Sequence, residues 1–468
     1  MTSQTLLYVV VVSIAWLLFW PLRNFRLRQG LMLFISYLLY ASWGLRFLGL
    51  LVFSSLLNYA LGAYVRRQPT AARLWVGVLL NIAFLGTFKY LPAILPLLPS
   101  TSLNTVFAGI VLPVGISFWT FQALSYLFDV YREEELQPSM LEFLLYMAFW
   151  PTVLSGPVCR LSSMLPQFRE SPKPSGEDVR SGLDRICMGL VMTALGQALA
   201  SGLQLGQGLD HAFDQISSGW TALDVWCLAI GYGFELFFNF AGYSHIVIGA
   251  ARLFGLRLDE NFARPYLATS PSEFWARWHM SLSFWIRDYL FLPLVMLRRE
   301  KWWRSVALVL SMIVFGLWHK GSVLFACWGL YQGVLLVLHR KIQEMQRRKA
   351  LPFPEWLTGP FSWLLTFGAI CLGWILFRAN SGSQALAMLR AVVTPGEYMS
   401  RMLPAGLYYL VFACVFGYFG VMAVDLLRRK YFEAVAVPME VRFALYSAAV
   451  YVGVLHMAQT QAFIYFQF

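Results

Sequence analysis

Charge is what this sequence has least of. Asp, Glu, Lys and Arg make up 13% of its 468 residues, against about 25% in an ordinary soluble domain. Hydrophobic residues make up 59% and mean hydropathy is +0.60, so the chain is too apolar to stay in water. Apolar runs long enough for a bilayer, about 18 residues or more, recur along its length. They predict an all-α polytopic membrane protein. No internal repeat, low-complexity tract or polar domain interrupts them, and residues 1–468 read as one integral-membrane domain.

Other absences narrow the chemistry. The six cysteines are scattered without a CxxC pair, which argues against a disulfide framework or a zinc module. There is no GxxxxGK[ST], HExxH or GxSxG, the patterns of phosphate loops, zinc proteases and nucleophile elbows. Carboxylates inside the apolar runs are few, chiefly Glu235 and Asp288, which disfavours a proton pump built on buried acids. The N-terminal apolar run lacks a basic lead and a small-residue cleavage site, so it reads as a retained helix.

What charge there is carries a sign. Lys and Arg outnumber Asp and Glu 36 to 24, for a net +12. Their placement in short clusters between apolar runs predicts cytoplasmic loops rather than nucleic-acid binding. These clusters are Arg23/Arg26/Arg28, Arg66/Arg67/Arg73, Arg298/Arg299/Lys301/Arg304, Arg340/Lys341/Arg347/Arg348/Lys349 and Arg428/Arg429/Lys430. Loops 92–105 and 206–219 contain neither Lys nor Arg and are expected to face outward. Alternation then sends the last helix outward, with the aromatic tail AFIYFQF (462–468) on the non-cytoplasmic side. Within the apolar length, stretches 140–157, 241–256 and 274–297 carry Pro, Gly, Ser and charges. They read as broken elements, tolerated at membrane depth only where protein or a wet cavity satisfies the backbone.

Two segments hold the candidate chemistry. In FGLWHKGS (315–322) one apolar helix meets another with almost no loop. This puts His319, with Trp318 beside it, at a tight break near membrane depth, where an ionisable group is a functional candidate. In EFWARWHMSLSFWIRDYL (273–290), His279, Ser283 and Arg287 recur at i, i+4 and i+8 among Trp275, Trp278 and Trp285. As a helix this is one polar stripe, facing either a protein cavity or, as an interfacial helix with snorkelling arginines, the headgroups. The spacing leaves both open. Two histidines suit general-base or hydrogen-bond catalysis, and without a third ligand nearby no metal is expected. His211, His339 and His456 read as surface or packing residues.

These segments, with LPVGISFWTFQALSYLFDVYR (112–132), LSGPVCRLSSMLPQF (154–168) and the long block 240–294, resemble the membrane-bound O-acyltransferases. The likeness is to the bacterial branch of alginate O-acetylation and teichoic-acid D-alanyl-transfer proteins. That resemblance implies a ring of about 11–13 transmembrane helices with re-entrant or broken helices around a central tunnel. It implies an acyl donor entering from the cytoplasm, acetyl-CoA as a substrate rather than a bound cofactor, and an acceptor approaching from the other side. His319 matches the family's essential histidine and His279 its supporting one. Trp275, Trp278, Ser283, Arg287 and Trp318 would then be substrate-binding. Two positions depart from the family pattern: His245 stands where an Asp is usual, and Lys320 where a Gly is usual.

The implied function is O-acetylation of an exported or cell-surface polysaccharide (alginate-like, cellulose or peptidoglycan) across a bacterial inner membrane, handed on through a periplasmic partner acyltransferase. Alternatives are acylation of a lipid or protein within the family, or a transporter or scaffold of a polysaccharide secretion complex. The tail adds an expectation of its own. A phenol with a pKa of about 10 is far more acidic than a sugar hydroxyl, so an ester on Tyr465 keeps much of a thioester's transfer potential. Tyr465 is thus either an interfacial anchor or an acyl carrier.

Overall fold

The computed structural model describes residues 3–94, 111–132, 135–170, 175–202, 208–215, 219–347, 355–431 and 439–457. Among these residues extended pairing is limited to one antiparallel bridge, Phe262 with Trp278. Eight helices among the described residues are long and apolar enough to cross a membrane: Leu45–Arg67, Ala71–Lys89, Gly176–Ser201, Ala222–Leu253, Lys301–His319, Val323–Gln346, Gly359–Arg378 and Ala405–Arg428. The chain is therefore an all-α multi-pass membrane protein. Among the described residues three further apolar helices fall just short of that length. Ser3–Phe19 and Phe25–Ala41 have 17 residues each, and Ile116–Tyr131 has 16.

The chain packs as two compact units. The first comprises residues 1–186 and 247–260. It contains α1 (Ser3–Phe19), α2 (Phe25–Ala41), α3 (Leu45–Arg67), α4 (Ala71–Lys89), α5 (Ile116–Tyr131), α6 (Met140–Ala148) and α7 (Leu161–Arg169). Polar clasps hold these helices where lipid offers no hydrogen bonds. Asn58 of α3 and Asn81 of α4 are buried and exchange amide bonds of 3.1 and 2.8 Å. Stretch 140–157 is broken, as its composition predicts. Ser139 and Glu142 form a capping box on α6, which satisfies orphan backbone donors, and the chain leaves the helix after Ala148. Gly115 (φ +77°) turns the chain into α5 so close to this stretch that a Cβ would lie 2.0 Å from the Val153 carbonyl oxygen.

The second unit comprises residues 187–246 and 261–468. Two long helices, α8 (Gly176–Ser201) and α10 (Ala222–Leu253), run through both units, with α9 (Leu209–Gln215) between them. Residues 241–256, expected to be broken, are helical through Leu253. The glycines there are packing contacts rather than breaks. A Cβ on Gly189 would meet the Gly242 carbonyl at 2.5 Å, and one on Gly182 the Gly249 carbonyl at 2.8 Å. Such seven-residue spacing of small residues lets two backbones touch.

Next come α11 (Pro271–Trp275), α12 (Met280–Ile286), α13 (Lys301–His319) and α14 (Val323–Arg347), then α15 (Glu355–Arg378), α16 (Gly382–Val393), α17 (Ala405–Tyr431) and α18 (Met439–Met457). Helices α13 and α14 form a hairpin whose backbones also touch. A Cβ on Gly316 would lie 2.2 Å from the Phe325 oxygen, and one on Gly329 2.2 Å from the Met312 oxygen. This contact fixes the end of α13, and with it His319.

Candidate active site

His319 is the last residue of α13. The next backbone turns extended at Lys320, whose N–H still reaches the Gly316 carbonyl. The imidazole is buried and boxed by rings: Trp318 at 4.7 Å, Phe315 at 4.8 Å, Phe377 at 5.1 Å and Trp328 at 5.6 Å between centroids. Lys320, beside it in sequence, is exposed.

His279 comes to the same place by another route. It stands before the first turn of α12 with φ +43° and ψ +52°, left-handed backbone that costs a non-glycine residue about 1–3 kcal/mol. The pairing of residues 261–263 with 277–280 holds it there. Ala263 N–H donates to the Arg277 carbonyl at 3.0 Å and Met280 N–H to the Asn261 carbonyl at 2.9 Å, around the Phe262–Trp278 bridge.

The buried Asn261 side chain completes the frame. Its Nδ2 donates to Ser244 Oγ at 3.0 Å, while its Oδ1 accepts from Ser281 Oγ at 2.6 Å and faces His279 Nδ1 at 3.3 Å. A carbonyl oxygen only accepts, so Nδ1 carries the hydrogen and neutral His279 presents Nε2 as an acceptor.

Both histidines line one cavity, together with Leu236, Phe240, Trp275, Trp278, Phe315, Trp328, Trp374 and Phe377. Apart from the imidazoles and the indole N–H groups its wall is hydrocarbon, and Trp275 Nε1 is directed at Gln332 Oε1, 3.4 Å away. Two basic nitrogens in an aromatic-walled chamber can accept and return a proton. No group of three His, Cys, Asp or Glu side chains suited to a metal occurs among the described residues.

The profile of the membrane-bound O-acyltransferase family matches residues 34–379. The chain belongs to this family. As a membrane-bound O-acyltransferase it is an acyl-transferring enzyme, and its relatives are consistent with that. It is 32% identical to the probable alginate O-acetylase AlgI of Azotobacter vinelandii, over 87% of this chain and 81% of the relative. It is 30% identical to the peptidoglycan O-acetyltransferase of Helicobacter pylori, over 76% and 72% respectively. Against the teichoic acid D-alanyltransferase of Streptococcus thermophilus it is 31% identical, over 56% and 68%.

The cavity gathers four of the residues singled out by sequence: His279, His319, Trp275 and Trp278. The polar stripe from His279 does not form. His279 precedes the helix instead of belonging to it, and the backbone widens to a π-turn over Arg287–Phe291. Ser283 Oγ instead donates to the Trp278 carbonyl at 2.9 Å. Arg287, half-exposed, bonds Asp288 at 2.6 Å and lies over Phe284. Trp318 stacks on Phe315 at 6.0 Å and borders His319 without lining the cavity. Tyr465 lies outside the described residues.

Sequence reasoning missed Asn261, Trp328, Trp374 and Phe377. The last two sit three apart on α15, one helical face, and Trp328 shares a face with Gln332 four residues on. A search for aromatics at helical spacing opposite FGLWHKGS would have found them.

Proposed function

We propose that this chain acetylates hydroxyl groups of an exported or cell-surface polysaccharide, using acetyl-CoA from the cytoplasm of a bacterial cell whose inner membrane it spans. The observation that carries the proposal is the shared aromatic cavity of His279 and His319. The relatives named above act, by their names, on alginate, peptidoglycan and teichoic acid, three polymers outside the cytoplasm.

In the proposed reaction the acceptor oxygen attacks the thioester carbonyl. The new C–O bond forms as the C–S bond breaks. His319 takes the hydroxyl proton and returns it to the departing thiolate sulfur, a role suited to an imidazole. His279, with Nδ1–H committed to Asn261, is better placed to accept a hydrogen bond from a second hydroxyl of the acceptor than to donate one to the oxyanion. Donation would need a cationic imidazole in a hydrocarbon chamber, which desolvation disfavours. Trp275 and Trp278 would exclude water from the thioester. Tyr465 is proposed as a transient carrier that passes acetyl to a periplasmic partner acyltransferase or to the glycan.

The test is incubation of the full chain with labelled acetyl-CoA, followed by peptide mass spectrometry. His319→Ala should reduce acetyl transfer by about 10²–10⁴-fold, the usual worth of a general base. Tyr465 should carry label in the native chain. Transfer at the native rate in the His319 variant would end the proposed mechanism. An unlabelled Tyr465 with a fully active Tyr465→Phe variant would remove the carrier step alone.

A further inference from the structure

One buried carboxyl has no part in the chemistry above. Glu235 lies on α10 and is 2% exposed, and its Oε2 has no hydrogen-bond partner among the described residues. An unsatisfied buried carboxyl is costly and calls for a reason. Its position supplies one. The next residue, Leu236, is part of the cavity wall around His279 and His319. Glu235 is also within range of the charges of Arg378 and Asp210. Arg378 follows Phe377, another wall residue, and its guanidinium bonds Asp210 at 3.1 Å and Asp214 at 3.3 Å. Asn380 Nδ2 also bonds Asp214, at 3.0 Å, and the Arg378 guanidinium lies over the Phe213 ring at 5.0 Å.

The side of the membrane follows from charge. Loop 206–219, which includes all of α9, has no Lys or Arg and faces outward by the positive-inside rule. Helix α15 starts after the cytoplasmic cluster at 340–349 and α13 beside the one at 298–304, so Arg378 and His319 end their helices on the outward side too. The cavity is thus hydrocarbon over most of its wall and has a carboxylate, guanidinium and amide cluster beside its outward end. A hydroxylated acceptor approaching the imidazoles from outside passes that cluster.

We propose that Glu235 is the positioning residue for the acceptor, its free oxygen accepting a hydrogen bond from a sugar hydroxyl that reaches the outward end of the cavity. Arg378 and Asp210 hold the surrounding cluster in place. The assignment rests on the polysaccharide acceptor proposed above. It accounts for an orphaned buried oxygen that packing alone would have removed.

The test uses the full chain as the sole enzyme of its kind in cells, with Glu235→Leu and Glu235→Gln as variants. Ester content of the exported polysaccharide is measured, together with the thermal midpoint of the purified proteins and the midpoint shift on adding acetyl-CoA. Glu235→Leu should lower ester content at least about tenfold, as when a site built for a hydroxyl loses its partner. Its midpoint should equal or exceed that of the native chain, because a buried oxygen without a partner is removed, and the acetyl-CoA shift should persist. Glu235→Gln keeps an acceptor oxygen and should restore most of the ester.

Native ester content in the Leu variant would overturn the assignment. So would a lowered midpoint, which marks a structural role, or a Gln variant as poor as Leu. Failure of the underlying reading looks different: the native chain itself consumes acetyl-CoA and leaves the polysaccharide unesterified, and the assignment falls with it.

Discussion

Gly329→Ala separates the packing of the α13–α14 hairpin from its chemistry. The added Cβ would lie 2.2 Å from the Met312 carbonyl oxygen and 2.8 Å from Ile313 Cα. Both are backbone atoms, so no side chain can rotate out of the way. Ordinary contact begins near 3.4 Å, so the two helices must part by about 1.2 Å. The substitution gains about 1 kcal/mol of helix propensity and loses about 1–3 kcal/mol to overpacking. Net destabilisation is therefore small, about 0–2 kcal/mol.

The effect on transfer should be larger. Trp328 adjoins the substituted residue and lines the cavity, and His319 ends the opposite helix. A misplacement of about 1 Å costs on the order of 100-fold in rate, or about 2.7 kcal/mol of barrier. The assay is the thermal midpoint and the initial acyl-transfer rate in one detergent. Gly417→Ala, on the exposed face of α17 with nothing within 4 Å of its Cβ, is the control and should leave the rate unchanged. A Gly329→Ala protein with raised stability and a native rate would refute the reasoning.

Other perturbations have equally definite outcomes. Asn261→Leu removes the oxygen that His279 Nδ1 and Ser281 Oγ face; it should cost about 1–3 kcal/mol for the stranded donors and lower transfer more than binding of the acyl donor, read by separate kcat and KM. The carboxyl of Glu142 is drawn down from its usual 4.5 to about 2, first by the Arg169 guanidinium and, against opposing burial, by the Ser139 cap. Because the folded value is the lower one, the stability this group gives is complete above about pH 4.5 and lost as pH falls towards 2. The thermal advantage of the native chain over Glu142→Gln should therefore shrink through that window, and an advantage constant from pH 6 to 3 would contradict the pairing. Asp224 accepts from Thr221 Oγ1 (2.6 Å), Tyr408 OH (2.5 Å) and the N–H groups of Met402 (2.9 Å) and Leu403 (3.0 Å). Asp224→Ala should cost about 3 kcal/mol and Tyr408→Phe about half that, and chemical denaturation of the pair compares them directly.

Hydropathy alone made the membrane class legible, because twenty apolar residues in a row admit few other structures. The position of His319 was legible for a similar reason: an ionisable residue between two apolar runs with no room for a loop can only be a break. Glycines were less readable. Gly242 and Gly249 in residues 241–256 suggested interruption, yet a glycine that breaks a helix and one that lets two helices touch look the same in one dimension. The partners at Gly189 and Gly182, seven residues apart on another helix, decide between them. The far wall of the cavity was hidden for a different reason. Trp374 and Phe377 are about a hundred residues from His279 in sequence, and nothing local distinguishes a tryptophan facing an imidazole from one facing lipid.

The segment around His279 was legible only in part. Stretch 274–297 reads as broken, as it is, but the spacing of its residues also allowed a helix with a stripe of His279, Ser283 and Arg287. The chain instead gives up helical bonds to hold His279 at φ +43°, and Arg264, shortly before it in the same block, at φ +54°. Both are non-glycine residues in left-handed backbone, a conformation that local preference opposes. Between them lie the Phe262–Trp278 bridge and the Ala263–Arg277 bond, and the Arg264 guanidinium is tied to Asp425 on α17. Two costly dihedrals on the two arms of one short pairing persist only if surrounding contacts over-determine them. Those contacts are the Asn261 frame on one side and the Arg264–Asp425 tie on the other. A helix through residue 279 would have satisfied the local periodicity. It would also have pointed the imidazole along a regular stripe instead of into the chamber that His319 shares, so the strain belongs to the placement of that one ring.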